Sequence, residues 1–327
     1  MKRQQMTRVA PSRILAFVLA GGEGRRLRPL TAACAKPAVQ FAGNCRIIDF
    51  VLANLVNSRI APIYVLVQYK PDTLLEHLKS AWSPHWEVRA RLPSTAEGYR
   101  GTADAVYRNL HLIERHRPDA VAVFAADQVY RMDIRQMAGF HAVRGADVTV
   151  AALPVPIARA GGFGVMAVNE EGVIEEFQEK PTAPRPIPGS PHLAYASMGN
   201  YIFKPQALSA LLAQVIACGG TDFGPDVLPT LPGSRYMALA YDFSSNEVPG
   251  VRAYEARAYW RDVGTVDALD EARLDASGPR PRLALCNPAW PMRPAVAPAS
   301  RDLAACVSQY GRLKCMPSHP AVTVRHA

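Results

Sequence analysis

The segment Ile14-Leu-Ala-Phe-Val-Leu-Ala20 is followed at once by Gly21-Gly22-Glu23-Gly24, and these residues decide the fold. A continuous apolar run without polar alternation predicts a β-strand buried on both faces, as in a parallel sheet. Glycines directly after such a strand let the backbone approach a ligand closely and leave N–H groups free to bind phosphate. The segment therefore predicts a buried strand of an α/β sheet that ends in a phosphate-binding loop.

Strand and helix patterns alternate along the chain after this loop. Continuous apolar runs predict strands at 62–69, 120–126 and 146–153. Apolar positions at helical spacing predict helices at 46–57, 101–116 and 133–144, and another helix begins at residue 71. This order is typical of an α/β fold with a doubly wound, mostly parallel, Rossmann-like sheet.

The pattern changes after residue 160. Shorter strands and two helices are predicted, with the strands at 163–168, 173–177 and 198–203 and the helices at 205–217 and 266–275. They indicate an added mixed or antiparallel portion that covers one end of the sheet. From residue 276 the sequence is Pro-rich, basic and aperiodic, and no regular structure is predicted there.

Charge and composition exclude several classes of protein. The 327 residues carry a net charge of +9, but the excess of Lys and Arg lies in the two ends, residues 1–13 and 276–327. A nucleic-acid-binding domain carries its basic patch on the folded body, so no nucleic-acid partner is expected. No apolar run reaches the roughly 18 residues that span a bilayer, so we expect no membrane partner and a cytoplasmic location. The six cysteines form no CxxC pair, which argues against a disulfide framework and a zinc site.

The glycine loop alone indicates phosphate binding only weakly. It lacks the GK[ST] ending of a P-loop and does not fit the GxGxxG pattern. Longer matches are more specific: AGGEGRRLRPLT (20–31), AKPAV (35–39), RIIDF (46–50), YRGTADAV (99–106), PVP (154–156), FGVMAV (163–168), EKP (179–181), ASMG (196–199) and YWRDVGT (259–265). The first two resemble the sugar-1-phosphate nucleotidyltransferases. The full set, in this order over residues 14–275, resembles the bacterial glucose-1-phosphate adenylyltransferases.

The resemblance implies a site residue by residue. It assigns catalytic roles to Arg26, Asp127, Lys180 and Asp262. Asp127 and Asp262 would bind Mg²⁺, an ion that one or two carboxylates far apart in the sequence can hold together with substrate phosphates. The nucleotide would lie against Leu19, Ala20, Gly21, Gly22, Gly24, Arg26, Gln68, Gly101 and Thr102. Glucose 1-phosphate would lie against Tyr99, Gly164, Glu179, Lys180 and Ser197. Lys36 and Arg46 would contact phosphates or an effector.

Several of these residues also have an ordinary structural explanation. Asp127 could cap a helix that follows its strand, and Asp262 could be a solvated turn residue. Gly164 could only make room for close packing, and Ser197 could be a satisfied strand residue. A lysine before proline, such as Lys180, is often an exposed strand end.

The implied reaction joins ATP and glucose 1-phosphate to give ADP-glucose and pyrophosphate, for α-glucan synthesis. Two alternatives remain open. The protein could use UTP, CTP or dTTP as another nucleotide-sugar pyrophosphorylase, or it could be a catalytically degenerate subunit that binds sugar phosphate.

The sequence departs from the family pattern in three places. Ala126 and Gln128 flank Asp127 where the family usually has glycine and histidine, and Gly98 replaces a frequent tryptophan. No hexapeptide repeats follow residue 276, so the left-handed β-helix of the family is expected to be absent. We therefore expect a basic extension (1–13), a catalytic domain (14–275) and a tail that is the remnant of a linker (276–327). The homotetramer of the family is then in doubt.

Overall fold

The computed structural model describes residues 13–84 and 86–292, in which one mixed sheet of nine strands carries helices on both faces. The strands in these ranges are β1 (Ile14–Ala20), β2 (Gln40–Ala42), β3 (Cys45–Arg46), β4 (Ile63–Val67), β5 (Val88–Arg91), β6 (Ala120–Ala125), β7 (Gln128–Tyr130), β8 (Val148–Pro156), β9 (Gly164–Val168), β10 (Ile174–Glu179), β11 (Leu193–Phe203), β12 (Ala238–Asp242) and β13 (Trp260–Asp262). The helices are α1 (Ile48–Asn57), α2 (Asp72–Ala81), α3 (Thr102–Tyr107), α4 (His111–His116), α5 (Ile134–Val143), α6 (Ile157–Ala160), α7 (Pro205–Ala217) and α8 (Val266–Asp275).

Strand β1 is buried on both faces, as its sequence predicts. It pairs in parallel with β4 on one side and with β6 on the other. Ala16 and Val18 pack into a core with α1, α2, α5 and α8, while Leu15 and Phe17 pack into a second core with α3, α4 and α7. Each fully buried Leu or Phe side chain contributes about 1.5–3 kcal/mol from transfer out of water. The predicted Rossmann-like core is confirmed.

The mixed portion is built into the same sheet rather than laid over its end. Strand β11 pairs antiparallel with β6 and β8, so it lies between them. The predicted strand at 146–153, which is β8, therefore does not extend the parallel core directly. Strand β9 adds antiparallel to β11 and β10 adds antiparallel to β9, which explains the short spacing of these strands along the chain.

The helix predicted at 101–116 is interrupted. Helix α3 ends at Tyr107 and α4 begins at His111. Between them the Asn109 amide nitrogen Nδ2 donates hydrogen bonds to the Ala105 carbonyl (2.9 Å) and to the Tyr99 hydroxyl (3.1 Å). Asparagine side chains compete in this way with the helical hydrogen bonds of the backbone, which explains the break.

Residues 276–292 contain no helix or strand, as predicted, but they pack on the domain. Leu283 and Leu285 join the core of α1 and α8. The Glu255 carboxylate accepts hydrogen bonds from the Ala284 N–H (2.9 Å) and from the buried Arg131 guanidinium (2.5 Å). Removal of one partner of such a buried pair typically costs about 3–5 kcal/mol. The expected extension and most of the expected tail lie outside the described residues.

In the ranges that the structure describes, no helix is both long and apolar enough to cross a membrane.

We predict that His141 makes the folded state sensitive to acid. Burial and then the Lys204 ammonium lower the pKa of His141 to about 4 from an ordinary value of 6.5. The unfolded chain therefore takes up a proton near pH 6.5 that the folded protein takes up only near pH 4. Stability is lost as the pH falls through this window, by at most about 1.4 kcal/mol per pH unit.

The measurement is urea unfolding of wild type and His141→Gln from pH 7 to pH 4. The variant should lose less free energy of unfolding than wild type over this range. His111→Gln, at an exposed position, is the control and should follow wild type. Parallel curves for wild type and His141→Gln would show that the prediction is wrong.

Candidate active site

A cleft of about 390 Å³ lies at the carboxyl ends of β1, β4 and β6. Open α/β sheets bind ligands at this edge, because the loops that follow the parallel strands meet there. The cleft is lined both by residues predicted to bind nucleotide and by residues predicted to have other roles. They are Leu19, Gly21, Gly22, Lys36, Gln68, Tyr99, Gly101, Thr102 and Asp127. The structure therefore brings together segments that are far apart along the chain.

The glycine loop after β1 lies directly on Lys36. Gly24 has a φ of 66°, and a Cβ atom there would lie 2.8 Å from the Cβ of Lys36. Glycine is required at this position because it tolerates the left-handed conformation and leaves room for the lysine. The Thr31 hydroxyl donates to the Gly24 carbonyl at 2.9 Å and holds the loop closed. Ala20 and Gly24 support the loop and do not line the cleft itself.

Lys36 joins the two carboxylates that the sequence assigns to a metal. Its Nζ atom lies 2.9 Å from Oδ2 of Asp127 and 3.4 Å from Oδ1 of Asp262. The Lys36 side chain is 7% exposed, whereas the two carboxylates are 42% and 37% exposed. A buried ammonium is costly without counter-charges, so the pair of carboxylates explains why Lys36 can be buried here.

Asp127 does not cap a helix. It is followed by strand β7, and the next helix, α5, has Asp133 as its N-cap. The alternative explanation from sequence is therefore wrong, because the chain continues into a short ribbon of β7 and β13. In this ribbon Asp262 pairs with Gln128, the residue after Asp127. The backbone pairing places the two carboxylates side by side.

The two substitutions beside Asp127 are both accommodated. The Ala126 methyl is buried in the core that contains α1. The Gln128 side chain is also buried, and its Oε1 accepts a hydrogen bond from Nε1 of Trp260 at 3.0 Å.

Arg26 lies beside the same ribbon. A Cβ atom added to Gly264 would be 2.8 Å from Nη2 of Arg26 and 3.2 Å from Oδ2 of Asp262. Gly264 therefore allows the guanidinium to approach the backbone after β13. The neighbouring Arg25 instead forms an ion pair with Glu23 at 2.6 Å on the exposed side of the loop.

Gln68 and Tyr99 form one wall of the cleft. The Tyr99 N–H donates to Oε1 of Gln68. Gly98 has a φ of 73°, and a Cβ there would lie 3.1 Å from the Gln68 amide. The resemblance assigns Tyr99 to the sugar phosphate, and this stays a prediction; in the structure Tyr99 lines the cleft with Gln68 and Gly101.

Glu179 contacts two of the other predicted sugar-phosphate residues, Gly164 and Lys180. Its Oε2 would lie 3.0 Å from a Cβ atom at Gly164 and at Gly224, so both glycines leave room for the carboxylate. Its Oε1 lies 3.1 Å from Nζ of Lys180, which is 66% exposed. Ser197 lies on β11, where its hydroxyl accepts from the Gly199 N–H at 3.3 Å.

Asp222 is a cleft residue that sequence reasoning missed. Its Oδ1 accepts from both the N–H and the hydroxyl of Thr102, each at 2.9 Å. A Cβ atom at Gly101 would lie only 2.5 Å from the Thr221 carbonyl, so Gly101 permits this contact. The signal in the sequence was a short polar pair, Thr221-Asp222, between glycines after α7.

Arg46 lies away from this cleft. Its Nη1 donates to the Thr73 carbonyl at 2.9 Å, and the side chain lines a separate cavity of about 660 Å³ with Cys34, Gln40 and His77. The two residues predicted as phosphate or effector contacts are thus separated, with Lys36 in the cleft and Arg46 outside it.

The carboxylate pair is the candidate metal site. Among the described residues, no group of three or more His, Cys, Asp and Glu side chains could hold a metal ion. Mg²⁺ commonly takes one or two carboxylates and completes its shell with water and substrate phosphates. Asp127 and Asp262 fit this pattern, because both point at one cation, the Lys36 ammonium, and keep part of their surface open.

Comparison with known proteins agrees with this arrangement. The nucleotidyl transferase family matches residues 15–277. Glucose-1-phosphate adenylyltransferase of Thermus thermophilus is 49% identical over 296 residues, which cover 86% of this chain and 71% of the relative. That of Thermodesulfovibrio yellowstonii is 47% identical over 291 residues, with the same coverage. Glucose-1-phosphate adenylyltransferase 1 of Vibrio vulnificus is 42% identical over 299 residues, which cover 88% and 73%. The chain therefore belongs to the nucleotidyl transferase family and, within it, to the glucose-1-phosphate adenylyltransferases.

Proposed function

We propose that the protein transfers the adenylyl group of ATP to glucose 1-phosphate, which gives ADP-glucose and pyrophosphate. The relatives at 42–49% identity carry the name of this activity. The observation that carries the proposal is the cleft itself, where the glycine loop, Lys36 and two carboxylates meet.

The nucleotide occupies the cleft along the glycine loop. Backbone N–H groups of Gly21 and Gly22 face phosphate oxygens, and the Arg26 guanidinium adds charge-assisted hydrogen bonds. The base lies on the wall formed by Gln68 and Tyr99. That wall is preorganised, because the hydrogen bond from Tyr99 to Gln68 exists before ligand binds.

Mg²⁺ binds to Asp127 and Asp262 in this proposal. When bound, it neutralises charge on the phosphates and holds them in position. The Lys36 ammonium, which lies between the carboxylates in the structure, would bind phosphate oxygens at the same place.

Glucose 1-phosphate lies next to this pair. The exposed Lys180 ammonium binds its phosphate, and Glu179 and Ser197 bind sugar hydroxyls. A phosphate oxygen of the sugar attacks the α-phosphorus of ATP, the bond from that phosphorus to the bridging oxygen breaks, and pyrophosphate leaves with the electron pair. The reaction needs no covalent intermediate on the protein, so positioning and charge neutralisation account for catalysis.

The first test is pyrophosphate release with Mg²⁺, glucose 1-phosphate and ATP, UTP, CTP or dTTP in turn. We expect release with ATP and at least about tenfold less with the others. Asp127→Asn is the inactive control, because it removes a carboxylate and retains the shape of the side chain. Release with another nucleotide alone would identify a different pyrophosphorylase. Silence with all four, while glucose 1-phosphate still binds, would identify a degenerate subunit.

We predict that Lys36→Met lowers kcat by about a hundredfold or more, because a preorganised charge in the cleft is lost. Methionine has a similar length, so the glycine loop retains its packing. Lys79→Met removes an exposed lysine on α2 and is the matched control. The measurement is steady-state kinetics for wild type and both variants, and an unchanged kcat in Lys36→Met would exclude Lys36 from the reaction.

We also predict that Lys180→Gln raises the KM for glucose 1-phosphate by about tenfold, because a charge-assisted contact to phosphate becomes a neutral one. The KM for ATP should not change. Lys79→Gln is the control at an exposed position. If Lys180→Gln changed only the KM for ATP, the sugar phosphate would lie elsewhere.

A further inference from the structure

We propose that Gln128 is a positioning residue, which holds the Trp260 indole and thereby fixes the ribbon that places Asp262 opposite Asp127. The role of this ribbon in turnover rests on the proposed function. The position of the ribbon in the free protein does not.

The ribbon is short and stands apart from the main sheet. Strands β7 and β13 have three residues each and form a two-stranded sheet of their own. An isolated ribbon of two strands is marginally stable at best in water. Val129 and Tyr130 of β7 are buried in the core with α1, whereas all three residues of β13 are only half-buried. The backbone pairs alone are therefore too few to fix β13 and Asp262, and side-chain contacts must supply the rest.

Gln128 supplies a buried contact across the ribbon. Its Oε1 accepts from Nε1 of Trp260 at 3.0 Å, and the side chain is only 9% exposed as a residue. Its Nε2 reaches the other side, where a Cβ atom at Gly199 would lie 3.4 Å away. The Gln128 side chain thus lies between β13 and Gly199 of β11, and the absence of a side chain at Gly199 leaves space for its amide.

Trp260 carries the constraint to the other half of the site. Its ring packs edge-on against Phe163, with centroids 5.6 Å apart. The Phe163 carbonyl accepts from the Lys180 N–H at 2.9 Å. The hydrogen bond that Trp260 donates to Gln128 therefore orients an aromatic ring that packs on Phe163, the residue before Gly164.

A neutral amide suits this position. Asp127 precedes Gln128 in the sequence, and Asp262 is the residue that pairs with Gln128 in the ribbon. A carboxylate at residue 128 would add a third negative charge beside this pair. Glutamine accepts at every pH at which the protein is folded.

The test is a double-mutant cycle with Gln128→Leu, Trp260→Phe and the double variant. The first readout is amide hydrogen exchange of residues 128–130 and 260–262 in the ligand-free protein. We expect each single variant to speed exchange by about three- to tenfold, the range of one buried hydrogen bond. The double variant should be no faster than the faster single variant. Gln136→Leu, a substitution on α5 that removes a glutamine amide contact to the Glu247 carbonyl, should leave the ribbon unchanged.

The second readout is kinetic, and it separates positioning from general destabilisation. Gln128→Leu should lower kcat/KM by a similar factor, and the control Gln136→Leu should leave it unchanged. Multiplicative effects of the two single substitutions, or unchanged exchange in Gln128→Leu, would overturn the inference. If no nucleotide supports turnover, the proposed function fails. The hydrogen-exchange cycle still tests whether Gln128 fixes the ribbon in the ligand-free protein.

Discussion

The structure depends on one contact, in which the Lys36 ammonium lies between the carboxylates of Asp127 and Asp262. The two acids are 91 and 226 residues away from the lysine along the chain. A buried lysine and two adjacent carboxylates are each unfavourable alone, and each becomes favourable in the presence of the other. The glycine loop, the end of β6 and the ribbon of β7 and β13 are therefore held at one point.

The same arrangement leaves the two carboxylates partly open to solvent. The carboxylates are more exposed than the lysine, so a divalent ion can reach them from the solvent side. The Lys36 ammonium partly neutralises the two carboxylates before substrate binds. Such preorganised charge is the main source of rate enhancement in transfer between phosphates.

The strands and the glycine loop followed from local pattern because their signals are short-range. The run from Ile14 to Ala20 is apolar at every position, and it feeds two cores at once. Local pattern failed at Asn109, whose side chain ends α3 through a contact with Tyr99. At Asp127 it left open a helix cap, which the ribbon of β7 and β13 excludes. In both cases the deciding partner comes from outside the segment that the pattern describes.

By itself, the sequence determined the α/β class, the loop that follows β1 and the family to which the chain belongs, because each is encoded in contiguous residues. Only the tertiary structure decided which charged residues share a site. In the structure Lys36 lies between the acids, Arg46 lines a separate cavity and Asp222 lines the cleft. The carboxyl ends of parallel strands meet at one edge of the sheet, however far apart the strands are along the chain. A short stretch of sequence therefore does not show which residues will lie close together at that edge.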